Sequence, residues 1–75
     1  MVKVLYFGIA QEIAGIAEEE FAAESTDGLR KMIAEKYPRM KTVRFRLALN
    51  DRLLTAESSL KGNDKIAVLP PFAGG

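Results

Sequence analysis

The sequence predicts an α+β fold, a mixed sheet of four to five strands with one principal helix across one face. Three observations carry that reading. Apolar, β-branched and aromatic residues open the chain at Val2 to Ile9. A single stretch, led by Ser25-Thr26-Asp27-Gly28, has helical spacing, with Leu29, Met32, Ile33 and Tyr37 on one stripe. Strand-like runs follow at Val43 to Leu49 and Lys65 to Leu69. Two strands before a lone helix and more strands after it suit a sheet that the helix crosses on one side.

Each element has a local reason. Val2 to Ile9 reads as a strand buried on at least one face. Ala10 to Ala14 fits a helical turn that Gly15 stops. Glu18 to Ala23 alternates about Phe21 and reads as a strand returning antiparallel to the first. Ser25 or Thr26 caps the main helix, and Asp27 sits at its positive end. Pro38 ends it, because a residue before proline avoids helical backbone. In the next strand Val43, Phe45, Leu47 and Leu49 share one face, and Arg44, Arg46 and Ala48 the other. Asn50-Asp51 signals a turn into a short strand at Arg52-Leu53-Leu54. Thr55 to Leu60 is a polar loop, and Gly62-Asn63-Asp64 turns into the last strand, Lys65 to Leu69. Pro70-Pro71 closes it, since neither proline can donate to a ladder. The order β-β-α-β-β-β is the β-grasp arrangement of ubiquitin-like folds. It divides the chain into a β-grasp domain at 1–69 and a flexible C-terminal tail at 70–75.

Composition excludes several function classes. With 75 residues there is one small domain, whose thin core should leave a net stability of ~3–5 kcal/mol. Cysteine and histidine are both absent. No disulfide, thiol nucleophile or imidazole base is available, so no metal site and no self-contained active site is expected. Lys plus Arg is 11 against 10 for Asp plus Glu, a balance that gives bulk charge no hold on nucleic acid. The longest uncharged run, Ile66 to Gly75, is too short and too rich in Pro and Gly to span a bilayer. The N-terminus has no signal-peptide cleavage pattern, and a reduced cytoplasmic protein is expected. Glu18-Glu19-Glu20 reads as a solvated edge rather than a cation site, because a strand turns Glu19 away from its neighbours.

The tail, Pro70-Pro71-Phe72-Ala73-Gly74-Gly75, is the most informative segment. Two prolines favour a stiff, extended exit from the strand. Gly74 and Gly75 have no Cβ, which suits passage through a narrow site in another protein. Five residues past Pro70 reach at most roughly 17 Å. The reacting group would be the α-carboxylate of Gly75, ionised at neutral pH and able to attack a nucleotide α-phosphate.

These residues resemble the small subunit of molybdopterin synthase, the sulfur-carrier family often called MoaD. The resemblance rests on Val2-Lys3-Val4-Leu5-Tyr6-Phe7, Gln11-Glu12-Ile13-Ala14-Gly15, Leu29-Arg30 and Leu47-Ala48-Leu49-Asn50. It is best over Lys65-Ile66-Ala67-Val68-Leu69 and the Pro70-to-Gly75 ending. It implies that an E1-like, MoeB-like adenylyltransferase activates the Gly75 carboxylate with ATP and Mg²⁺, neither of them bound by this chain. Sulfur then replaces the adenylate, and the thiocarboxylate donates it to a pterin precursor in the MoaE-like large subunit. On that reading the chain is a non-catalytic carrier subunit serving molybdenum- or tungsten-cofactor synthesis. Gln11 departs from members with a basic residue there and brings no cation to a salt bridge at that position.

Alternation suggests a docking face. With Val4, Tyr6, Ile66 and Val68 under the helix, Leu5, Phe7 and Leu69 stand on the open side, and Arg44, Arg46 and Lys65 are expected to share it. An apolar patch ringed by cations suits a partner with an acidic rim. Two other functions fit the same tail: a ubiquitin-like modifier conjugated through Gly75 to lysines, and a thiamine-pathway sulfur carrier. A β-grasp binding module with an incidental tail is the plainest alternative.

Overall fold

The computed structural model describes residues 1–70; the predictions made for Pro71, Phe72, Ala73, Gly74 and Gly75 lie outside the described residues. Strands β1 (Val2–Tyr6), β2 (Glu18–Phe21), β3 (Arg46–Leu49), β4 (Arg52–Leu53) and β5 (Lys65–Leu69) form one sheet in the order β2-β1-β5-β3-β4. A short helix α1 (Ile9–Ala14) follows β1, and the main helix α2 (Thr26–Lys36) runs into a 3₁₀ turn at Pro38–Thr42. β1 and β5 pair in parallel, and every other pairing is antiparallel. This is the β-grasp arrangement that the element order predicts, with five strands.

The core follows from alternation. Val2, Val4 and Tyr6 of β1 are buried, as are Ile66 and Val68 of β5 and Leu47 of β3. Leu29 and Ile33 of α2 join the same cluster. Each such side chain contributes roughly 1.5–3 kcal/mol through burial. At the helix start the two candidate caps divide the work. Ser25 Oγ accepts from the Gly28 N–H at 3.0 Å. Thr26, itself buried, accepts from the Ser58 N–H at 3.0 Å and so ties the 55–60 loop to α2.

Several element boundaries differ from expectation, three of them in the longer strands. The first strand ends at Tyr6 rather than Ile9, because Gly8 at φ 55° turns the chain and Ile9 opens α1. The second ends at Phe21 rather than Ala23. The third begins at Arg46 rather than Val43, since the 3₁₀ turn after Pro38 buries Met40 and delivers the chain to the sheet late. The Asn50-Asp51 turn is as read: φ values of 47° and 72° give the two left-handed residues of a tight hairpin. Among the described residues no helix is long and apolar enough to cross a membrane.

Candidate docking face and tail exit

The side of the sheet away from α2 is built by register. Lys3 stands opposite Lys65 and Leu5 opposite Ala67 across the parallel β1–β5 pair. Ala67 in turn faces Ala48, and Ala48 faces Leu53. Arg46 faces Leu69. The Phe7 N–H donates to the Val68 carbonyl at 3.2 Å, which carries the parallel register one residue past β1 and sets Phe7 beside Leu69. Leu5, Ala67 and Leu69 are half-buried, while Phe7 and Leu53 are each 43% exposed. The open face is thus a row of small and branched apolar residues flanked by two exposed ones.

Its charges are not the uniform cationic ring that the sequence suggests. Lys65 Nζ lies 3.4 Å from Asp51, and Lys3 Nζ lies 3.3 Å from Glu18. Arg46 is in the face and makes no ion pair among the described residues. Arg44 departs from expectation: it precedes β3, where strand alternation no longer governs it, and it lines a cavity against α2.

Pro70, expected to begin the tail, is half-buried. A Cβ placed on Gly8 would meet Pro70 Cγ at 3.0 Å, so the proline ring lies directly over that glycine. Gly8 therefore has two duties, a backbone turn at positive φ and a close approach by the departing chain. Chain and face leave the molecule together, because β5 ends between β1 and β3 at the edge marked by Phe7, Leu69 and Arg46. Sequence reading absorbed Gly8 into a strand; the interruption of an apolar run by glycine was the available signal.

A second cluster was missed. Glu19 pairs with Val4 and so faces α2, with its side chain only 11% exposed. Tyr6 and Tyr37 both donate to its Oε2, at 2.6 and 2.5 Å, and Lys36 pairs with Oε1. The two tyrosine rings meet edge to face with centroids 6.0 Å apart. Burial pushes the Glu19 carboxyl up, but hydrogen bonds from Lys36, Tyr37 and Tyr6 outweigh it and hold it below the usual range. Burial, followed by the bond to Glu19, pushes the Tyr6 hydroxyl well above its ordinary value. The expectation of a solvated acidic edge fails at this one residue: Glu19 faces the core, and its buried oxygens are satisfied.

Comparison with known proteins matches residues 4–75 to the ThiS family. The chain belongs to the ThiS/MoaD family. It is 37% identical to the molybdopterin synthase sulfur carrier subunit of Chlamydomonas reinhardtii over 99% of this chain and 98% of that one. It is 28% identical to the solution structure of small archaeal modifier protein 1 from Methanosarcina acetivorans, with a TM-score of 0.87 over 99% and 95% of the two chains. The complex of subunits 1 and 2 of molybdopterin-converting factor from Helicobacter pylori contains a chain 32% identical, with a TM-score of 0.74 over 99% and 97%.

Proposed function

We infer that this chain is the sulfur carrier subunit of a molybdopterin synthase and works in molybdenum cofactor biosynthesis. The observation that carries this is end-to-end similarity to carrier subunits of that name, over 99% of this chain. The geometry supports it, because an apolar face and the last described residue before the tail lie at one end of the sheet. A partner seated on Leu5, Phe7 and Leu69, flanked by Arg46, would receive Phe72 to Gly75 in its own site.

The finer steps follow from the chemistry of a carboxylate. An activating enzyme supplied with ATP and Mg²⁺ joins the Gly75 carboxylate to AMP and releases pyrophosphate. A sulfide donor then displaces AMP and leaves a thiocarboxylate. A large subunit binds the open face and holds the pterin precursor, to which the sulfur passes. This chain contributes no catalytic side chain; the cytoplasm is its proposed compartment, and tungsten could replace molybdenum in the finished cofactor.

Intact mass of the protein purified from its native cell tests the reading. Replacement of one oxygen by sulfur at Gly75 is expected. Similarity to the archaeal modifier favours a second reading, conjugation to lysines. Covalent adducts of this chain on larger proteins, without thiocarboxylate, would establish that alternative. A variant lacking Gly75 should keep its denaturation midpoint and lose pyrophosphate exchange with the activating enzyme.

A further inference from the structure

The chain treats its two kinds of cation differently. Among the described residues all four ion pairs use lysines, namely Lys3, Lys31, Lys36 and Lys65. None uses an arginine. The arginines are also unevenly placed: three of the five, Arg39, Arg44 and Arg46, crowd with Lys41 into one short segment that contains no acid. This segment and α2 wall a cavity of about 420 Å³. Its floor is apolar, made by Ile33 of α2, by Met40, Phe45 and Leu47, and by Val68 of β5. Arg30, Lys41 and Arg44 line it as well, and no acidic side chain does.

Three cations beside an apolar floor repel one another, and no ion pair among the described residues offsets them. Local rules broken without an internal gain mark a surface shaped for something outside. Arginine is the cation suited to that use, because its planar fork grips a carboxylate through two hydrogen bonds. The apolar floor is of no use to a bare anion, and the chain's net charge of +1 offers little to a nucleic acid.

We propose that this groove docks an acidic segment of a partner protein, one that sets an aliphatic or aromatic side chain between carboxylates. The apolar anchor enters against Ile33, Met40 and Phe45, while the flanking acids meet Arg30, Lys41 and Arg44. The groove lies on the helix side of the sheet, opposite the Leu5–Ala67 face, so both surfaces can be occupied at once. The proposal stands independently of the carrier reading.

The test is amide chemical-shift mapping on the full chain, titrated with a short synthetic peptide in which Leu and Phe alternate with Asp and Glu. Shifts should cluster at Ile33, Ala34 and residues 40–47, and affinity should fall as salt rises. A control peptide with Asn and Gln for the acids should bind at least about tenfold more weakly. Arg44→Glu should weaken the acidic peptide by a similar factor. It should also leave the denaturation midpoint unchanged or higher, since it removes repulsion. Failure of the acidic peptide to bind, equal binding of both peptides, or shifts confined to Leu5 and Ala67 would each overturn the proposal. So would movement of the groove amides on deleting residues 71–75, which would make the tail the occupant.

Discussion

The two sides of one sheet use the same strands for opposite ends. In β1 the residues facing α2 are Val2, Val4 and Tyr6, all buried, while Leu5 and Phe7 between and beyond them look outward. In β5, Ile66 and Val68 are buried while Ala67 and Leu69 are only half-covered. Both sides carry apolar residues, although the open one also carries Lys3, Lys65 and Arg46. The difference is what covers them. One has α2 as a permanent lid, and the other has no element of this chain laid across it among the described residues. An apolar residue under the lid stabilises the fold, and one on the open side is available to a partner.

Breaking the covered side should give the largest effect. Ile66→Ala removes a fully buried side chain at the centre of the sheet. It should cost about 2–5 kcal/mol, comparable to the whole stability of so small a domain. Urea denaturation measures it, and a loss under about 1 kcal/mol would contradict the assigned core.

Glu19 sharpens the comparison, because it is a charge on the covered side. Glu19→Ala strands the Tyr6 and Tyr37 hydroxyls and should cost about 1–3 kcal/mol. The pH dependence has a defined sign. Because the folded carboxyl is held below its unfolded value, its contribution is full above the ordinary glutamate range. It is lost as pH falls through the lowered folded value. Glu19→Gln should therefore lose more stability near neutrality than in acid, and parallel pH profiles for the two proteins would refute the assignment.

The open side should separate binding from folding. Phe7→Ala is expected to weaken the complex with the large subunit by about 2 kcal/mol or more. Its cost to the isolated fold should stay well below the roughly 3–5 kcal/mol of a core phenylalanine. A denaturation midpoint and a binding constant on the same variant decide it; a large stability loss with intact binding would put Phe7 on the wrong side.

The smallest effect belongs to the exposed rim. Asp51→Asn breaks the Lys65 pair, whose aspartate is almost wholly solvated. The change should shift stability by less than about 0.5 kcal/mol and shrink further with salt. A larger, salt-independent loss would show that Asp51 supports the hairpin turn and not the ion pair.

The sequence by itself determined the element order, the helix with a cap at Ser25 or Thr26, the alternation that puts Val4 and Tyr6 opposite Leu5 and Phe7, and the glycine ending. These are local matters of period, capping and backbone freedom, and they survive without knowledge of distant residues. Only the tertiary structure decided that Glu19 meets Tyr6, Tyr37 and Lys36, that Pro70 lies over Gly8, and that Arg44 leaves the sheet for the groove beside α2. Each of these depends on where two segments far apart in the chain come to rest. Polar partners are chosen by such meetings, since a carboxylate is satisfied by whichever donors the packing brings to it and leaves no periodic trace in the sequence.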